Sequence, residues 1–312
     1  WYLLKGRNVL LAKRSIIVAS VFGLITSVFL ALTGDGSAYQ VAQKQPMKLA
    51  AMEGLYEGKE GAPLIVIGAL TPGKQYNDNK DPYLFRIQIP KLLSFLGYRS
   101  GDAFVPGVKD IVEGGYTYTD KDGNQKVALS AEQKIERGRI AIQALADYKN
   151  AKELGDTTAM AYHRKLLDAN FEYFGYGYLN DPKSIIPNVP LTFYSFHIMV
   201  GLGFLFIAFF ILILYLVFFK EFKINKWLLR TAILMIPLAY IASQAGWIVA
   251  EVGRQPWVIQ DILPTVAAVS RIDASAVQVT FFLFFIIFTT LLIAELRIMF
   301  TQIKKGPKDG GK

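Results

Sequence analysis

The fold is decided by residues 191–219, which read LTFYSFHIMVGLGFLFIAFFILILYLVFF, without a single Asp, Glu, Lys or Arg. About twenty such residues are enough for one helix to cross the hydrocarbon core of a bilayer. Three further stretches also lack these charged side chains: Ser15–Gly34, Thr231–Ala250 and Ala274–Ala294. The sequence therefore predicts an all-α integral membrane protein and excludes an ordinary soluble globular domain.

The amino-acid composition limits which metal and cofactor sites the chain can form. The 312 residues include 34 Lys+Arg against 25 Asp+Glu, two His and no Cys. Without Cys the chain forms no disulfide, no thiolate-held iron–sulfur cluster and no covalent C-x-x-C-H haem attachment. Two histidines, His163 and His197, are too few for a three-histidine zinc site. The net charge of +9 is concentrated near the apolar stretches, with no basic patch of the kind that binds nucleic acid.

The positive charges predict the topology, because short loops rich in Lys and Arg stay in the cytoplasm. Basic residues precede the first stretch (Lys13, Arg14), follow the second (220–226, KEFKINK) and follow the fourth (Lys304, Lys305). We expect segment 1–14 to hold the end of a preceding helix and a cytoplasmic link. The chain opens within an apolar run without an initiator Met, so we expect the C-terminal part of a longer protein. The other predicted segments are four transmembrane helices (15–34, 191–219, 231–252, 274–300), an outer loop (35–190), a cytoplasmic link (220–230), an outer link (253–273) and a cytoplasmic tail (301–312).

The loop 35–190 is far longer than the roughly 4–6 residues of an ordinary connection, so we expect it to be functional or a domain. Ser130 and Gln133 form a capping box ahead of one convincing amphipathic helix. Residues 116–124 indicate a small hairpin with an Asp-Gly turn. The prediction for the loop is therefore a mixture of short elements, placed in the periplasm if the cell has an outer membrane.

One cluster of polar residues lies at the end of the third stretch. Trp247, Glu251 and Arg254 fall within about 60° of arc on one helix face, at roughly 100° per residue. Ionisable groups at membrane depth are costly and are functional candidates by default. Two interpretations stay open: an ion pair that fixes the helix end, or a carboxylate that binds a metal or relays protons beside an Arg that holds an anionic group such as a propionate.

A second cluster lies in the second stretch, where His197 and Met199 precede Gly201 and Gly203. A lone Met in an apolar helix is usually packing, but Met is also a soft iron ligand. His197 and Met199 are roughly 200° apart on the helix, so they cannot face one iron together. The glycines would let either a flat macrocycle or another helix approach the backbone.

A third cluster follows the first stretch and comprises Asp35, Gln45, Lys48 and Glu53. Oxidation of a hydroquinone needs a hydrogen-bond donor and a general base within reach, and Lys48 and Glu53 could supply them. The alternative is that Lys48 and Glu53 form a solvated surface charge pair. His163, in the run YHRK, is interpreted as a solvated loop histidine.

The three clusters, in this order, resemble subunit I of the cytochrome bd quinol oxidases. The match is most specific at Gly253-Arg-Gln-Pro-Trp257 with Trp247 and Glu251 upstream. The run Lys48-Leu-Ala-Ala-Met-Glu53 is similar to the start of the quinol-binding loop of that family, and the loop length resembles its long-loop branch. The resemblance covers the whole chain, but only the C-terminal part of the family subunit.

The resemblance implies a role for each cluster. Met199 would be an axial ligand of a low-spin haem b, with His197 standing nearby where the family often has Arg. Glu251 would be the catalytic, metal-binding carboxylate at the pair of high-spin haem b and haem d. Trp247 would lie beside it, and Arg254 near a propionate. Quinol would be bound by the third cluster (Gln45, Lys48 and Glu53).

The resemblance also implies an enzyme of the bacterial cytoplasmic (inner) membrane that oxidises quinol outside, reduces O2 to water and generates a proton motive force. The expected partners are membrane lipid, the N-terminal part of the same subunit, companion subunit II and, as an open point, small membrane subunits. Ubiquinol and menaquinol both stay open. Two other classes are also open: a secondary transporter or proton channel using Glu251 and Arg254, and a structural subunit whose loop docks partners.

Overall fold

A computed structural model describes residues 1–119, 123–220 and 225–307. These residues form α-helices, short 3-10 helices and small antiparallel strand pairs. The α-helices are α1 (Tyr2–Lys5), α2 (Val9–Lys44), α3 (Pro46–Glu53), α4 (Leu92–Tyr98), α5 (Val108–Glu113), α6 (Ala131–Leu154), α7 (Thr157–Asn170), α8 (Val189–Phe219), α9 (Lys226–Val252) and α10 (Ala274–Lys305). The strands are β1 (Lys59–Glu60), β2 (Leu64–Leu70), β3 (Tyr83–Ile89), β4 (Phe104–Val105), β5 (Thr117–Thr119), β6 (Gln125–Val127), β7 (Trp257–Ile259) and β8 (Leu263–Pro264). The 3-10 helices span Phe171–Tyr178 and Pro182–Ile185.

Four helices, α2, α8, α9 and α10, are long and apolar enough to cross a membrane. They coincide with the four uncharged stretches, so the prediction of an all-α membrane protein with four spanning helices is confirmed. Their large apolar side chains are mostly exposed, as expected where lipid or other helices replace water. Pro190 stands in the first turn of α8 and the Asn188 side chain accepts from the Leu191 N–H at 3.1 Å, as expected at a helix start.

All four helices extend beyond the predicted ranges: α2 already begins at Val9, inside the predicted link 1–14, and α8 begins two residues early at Val189. Helix α2 continues through the expected boundary at residue 34 as far as Lys44, and Pro46 then opens α3. Helix α9 begins at Lys226, where the Asn225 side chain caps it, and α10 ends at Lys305. The physical reason is that the bilayer sets the length of the apolar stretch only, whereas helical hydrogen bonding continues until a breaker or a cap ends it.

The predicted loop helix is confirmed as α6. The Ser130 Oγ accepts from the Gln133 N–H at 3.1 Å, and the Gln133 side chain accepts from the Ser130 N–H at 3.0 Å. Helix α7, which is absent from the sequence-based expectations, begins at an Asp156 cap and packs against α6. The predicted hairpin is present as the β5–β6 pair, and its Asp-Gly turn lies partly outside the described residues.

The chain divides into two compact units. The larger unit, Ile16–Ala268, has an apolar core that gathers residues from α3, α5, α6, α8 and β7. In this unit α6 lies directly on the first 3-10 helix, because a Cβ at Gly138 would stand 2.4 Å from the Tyr173 carbonyl oxygen. The smaller unit comprises Trp1–Ser15 and Val269–Lys312, of which 308–312 lie outside the described residues. Within it the Tyr2 hydroxyl donates to the Ile303 carbonyl at 2.8 Å.

Candidate functional site

Glu53 is the most deeply buried ionisable residue of the third cluster. It is the last residue of α3, and only 2% of its surface is exposed. Its Oε2 accepts from the Ile65 N–H at 3.3 Å, and the Tyr83 hydroxyl donates to its carbonyl oxygen at 2.6 Å. Burial raises the pKa of the Glu53 carboxyl to about 8, against the smaller lowering effect of the Ile65 hydrogen bond. The interpretation of Glu53 as part of a solvated surface pair is therefore wrong.

Lys48 lies on the same helix as Glu53, α3, but its side chain contacts different residues from those around Glu53. Residues five apart differ by roughly 140° around a helix, and the described residues show no ion pair between Lys48 and Glu53. The Lys48 Cγ is instead 3.2 Å from where a Cβ would stand at Gly253. Burial lowers the pKa of the Lys48 ammonium, Arg254 lowers it further and Glu251 raises it. The structure thus brings the predicted quinol lysine to the predicted haem segment.

The two other members of the third cluster, Gln45 and Asp35, both precede α3. Gln45 is the N-cap residue of α3, and its buried Oε1 has no hydrogen-bond partner. Asp35 is held in a two-point ion pair with Arg99, whose guanidinium nitrogens lie 2.6 and 2.9 Å from its carboxylate oxygens. The ion pair therefore links α2 to Arg99, the residue that follows α4. The Gln45 Oε1 remains a hydrogen-bond acceptor without a donor.

Glu251 and Arg254 form the ion pair that one interpretation predicted. The Arg254 Nη2 is 2.6 Å from the Glu251 Oε2, and both side chains are about one-third exposed or slightly more. The Arg254 Nε is buried and has no hydrogen-bond partner. Trp247, one turn earlier on α9, is 64% exposed. Arg254 therefore keeps a donor for a further anionic group after it has paired with Glu251.

Met199 lies where α8 and α9 pack together. A Cβ at Gly246 would stand 2.9 Å from the Met199 Sδ, so the absence of a side chain at Gly246 leaves room for the thioether. At Gly201 and Gly203, no atom of the described residues lies within 4 Å of the position that a Cβ would take, apart from the adjoining residues and backbone of α8 itself. The Met199 thioether therefore faces Gly246 on α9. The backbone at Gly201 and Gly203 on α8 is not covered by another segment of the described chain.

His197 links α8 to the outer loop. One ring nitrogen is 2.8 Å from the Phe193 carbonyl oxygen and the other is 3.0 Å from the Ile65 carbonyl oxygen. Ile65 is also the residue whose N–H binds Glu53, so His197 and Glu53 both bind the backbone of the same residue of β2. His163 lies on α7, not in a loop, with its Nδ1 3.8 Å from an Asp147 oxygen. Both nitrogens of His197 therefore already face backbone carbonyl oxygens, and the His163 ring lies beside Asp147.

These residues fit a haem group in three respects. Met199 supplies a thioether, Arg254 has a buried unpartnered nitrogen, and Gly201 and Gly203 leave open backbone on the same helix as the thioether. Among the described residues no group of three or more His, Asp or Glu could hold a bare metal ion. The donor set therefore suits a macrocycle that brings its own nitrogen ligands and carries carboxylates.

A cluster of buried polar side chains, without any signal in the sequence, joins residues 253–264 to residues 131–178. The Tyr176 hydroxyl donates to the Asp261 Oδ1 at 2.7 Å, and Trp257 packs edge-on against Tyr176 with ring centroids 4.7 Å apart. Burial raises the pKa of Asp261 and lowers that of the neighbouring Lys134. The group anchors residues 253–264 to the loop. It joins residues far apart in sequence, so no local pattern could have predicted it.

Comparisons with known proteins agree on one family. The profile of cytochrome bd terminal oxidase subunit I matches residues 1–307. The chain is 34% identical over 98% of its length to cytochrome bd-II ubiquinol oxidase subunit 1 of Escherichia coli (strain K12), covering 58% of that protein. It is 27% identical over 97% of its length to cytochrome bd ubiquinol oxidase subunit 1 of Bacillus subtilis (strain 168), covering 51%. The chain thus spans about half the length of these relatives.

The fold is also similar to a solved structure, the bd oxidase from Geobacillus thermodenitrificans. The TM-score is 0.64 at 22% identity, over 98% of this chain and 53% of that one. At this identity the likeness concerns the fold alone.

Proposed function

The chain belongs to the cytochrome bd terminal oxidase subunit I family, and from that premise we propose that it carries the outer quinol-oxidising site of a respiratory quinol:oxygen oxidoreductase. The observation that carries the proposal is the buried carboxyl of Glu53, held between β2 and β3 on a loop that also carries Lys48. Family membership favours this function over a transporter or proton channel and over a purely structural subunit.

Lys48, Gln45 and Glu53 would each make a different contact with the quinol. Lys48 would donate a hydrogen bond to a quinol oxygen, and the free Oε1 of Gln45 would accept one from a hydroxyl. Glu53 in its ionised form would take the hydroxyl proton. Six of the eight residues of α3 are buried, so the helix holds Lys48 and Glu53, with Gln45 at its N-cap, at fixed positions.

The residues of α8 and α9 would hold the haems. Met199 would offer its Sδ to a low-spin haem b, Arg254 would bind a propionate, and Glu251 with Trp247 would lie at the high-spin haem b and haem d. When bound, these groups supply the electron acceptor and the iron that binds oxygen. Arg254 paired with Glu251 keeps the guanidinium in place for this contact.

The arrangement in the cell follows from the same premise. We place the protein in the bacterial cytoplasmic membrane with 35–190 outside, together with the N-terminal part of the subunit, a companion subunit II and lipid. Protons released from quinol outside, and protons taken up from the cytoplasm for water formation, would charge the membrane.

Oxygen consumption by the assembled oxidase tests the proposal with two electron donors. Glu53→Gln keeps the size and the hydrogen bond from Ile65 but cannot take a proton, so quinol-driven consumption should fall at least tenfold. Consumption driven by tetramethylphenylenediamine, which gives electrons without protons, should persist. Glu60→Gln, an exposed carboxyl on β1, is the matched control. Unchanged quinol oxidation in Glu53→Gln would refute the assignment.

A further inference from the structure

A polar cavity of about 540 Å³ opens beside Glu53, between β2, β3 and their connection 71–82. Its volume is many times the roughly 30 Å³ that one water molecule occupies in the liquid. Glu53 and Tyr83 lie on its wall, as do the charged residues Lys74, Asp78 and Arg86. A space of this size with charged walls can hold a connected group of water molecules.

The walls of the cavity lead from the protein interior to solvent. Glu53 is 2% exposed. The side chains of the next ion pair, Lys74 and Asp78, are 3% and 24% exposed, and those of Arg86 and Asp81 are 41% and 66% exposed. The cavity therefore joins a buried carboxyl to the loop surface through two successive pairs of opposite charge.

The inner ion pair is built to stay charged. The Lys74 Nζ binds both the Asp78 side chain and its carbonyl oxygen, and it lies 5.3 Å from the centre of the Tyr56 ring. Hydrogen bonds from the Gln75 N–H and from Lys74 lower the pKa of Asp78 to about 2. Asp78 therefore stays ionised at neutral pH and does not take up a proton from the cavity.

We propose that this cavity is the exit through which the protons of quinol leave Glu53 for the outer solvent. The inference rests on the proposed function of Glu53. For each quinol O–H bond that breaks, one proton goes to the Glu53 carboxylate and one electron leaves the quinol, for which a bound haem would be the acceptor. Glu53 must lose that proton to the cavity water before it can take the next. Without such a route a carboxyl buried this deeply would stay protonated after one transfer.

The absence of Cys makes the exit testable, because a single introduced thiol is the only one in this chain. Asn79, an exposed residue on the rim of the cavity, becomes Asn79→Cys and is labelled with a bulky aromatic methanethiosulfonate in the assembled oxidase. Each labelled sample is compared with its own unlabelled form. Lys149→Cys, exposed on α6, is the matched control.

The label on Asn79→Cys should lower the kcat for quinol at least threefold, leave its KM unchanged and increase the solvent deuterium isotope effect. Reduction with a thiol should restore the rate, and oxidation of tetramethylphenylenediamine should not change. Lys74→Met, which removes the inner charge pair without any label, should lower the kcat for quinol in the same direction.

Three results would overturn the proposal. An unchanged kcat would show that protons leave elsewhere, and a raised KM with unchanged kcat would show that the cavity admits the quinol itself. An equal loss of rate with quinol and with tetramethylphenylenediamine would show that the label acts on something other than proton release. The Glu53→Gln variant distinguishes failure of the proton exit from failure of the proposed function. If Glu53→Gln is inactive with quinol while the label on Asn79→Cys has no effect, only the proposed exit is wrong. If Glu53→Gln is active with quinol, the proposed function itself is wrong.

Discussion

Glu53→Gln should stabilise the protein while it lowers quinol oxidation at least tenfold. Burial raises the pKa of Glu53 from 4.5 to about 8. The unfolded chain releases this proton as the pH rises past its ordinary value, whereas the folded protein keeps it until about 8, so the free energy of unfolding falls across that interval. At about 1.4 kcal/mol per pKa unit the loss reaches roughly 4 kcal/mol at pH 8. The neutral amide of Gln avoids this loss.

Thermal unfolding of the assembled oxidase, followed by tryptophan fluorescence at pH 5 and pH 8, measures the effect. The midpoint of Glu53→Gln should exceed that of the wild type by several degrees at pH 8 and by much less at pH 5. Glu60→Gln, an exposed carboxyl, should change neither midpoint. A midpoint for Glu53→Gln at or below the wild type at pH 8 would show that burial does not hold Glu53 protonated.

Three further substitutions address other parts of the structure. Met199→Leu should abolish the low-spin haem b signal in a reduced-minus-oxidised spectrum, while Met235→Leu on α9 should leave the spectrum unchanged. Gly246→Ala places a Cβ 2.9 Å from the Met199 Sδ, a flexible atom that can move, so the low-spin signal should shift without loss of thermal stability; an unshifted spectrum would mean that the thioether does not hold iron from this position. Gly138→Ala places a Cβ 2.4 Å from the Tyr173 carbonyl oxygen, which cannot move independently, so limited proteolysis of the loop should accelerate and the stability should fall by about 1–3 kcal/mol; unchanged proteolysis would contradict the close packing of α6.

The membrane helices were predictable because their signal is local. A run such as 191–219 without charge has few alternatives to a spanning helix. The start of α6 was equally readable, since both partners of its capping box lie within four consecutive residues, Ser130–Gln133. The start of α9 and the ends of α2 and α10 were not, because polar residues continue a helix beyond the bilayer without any change in backbone geometry.

The arrangement of the candidate site was only partly predictable. The pairing of Glu251 with Arg254 follows from their spacing on one helix, and the structure shows it. Lys48 and Glu53, close in sequence, serve different neighbourhoods, because α3 turns one toward Gly253 and the other toward Ile65. No pattern within α3 specifies which neighbour each side chain meets.

The sequence by itself determined the four spanning helices, the capped loop helix and the residue types that carry redox and proton chemistry, because each of these depends on residues within a few turns of one another. Only the tertiary structure decided that Glu53 is buried with a raised pKa, that His197 and Glu53 bind the same residue of β2, and that a charged cavity leads outward beside Glu53. The physical reason is that burial, and with it the pKa of a carboxyl, depends on chain segments that come together only when the loop folds onto α8.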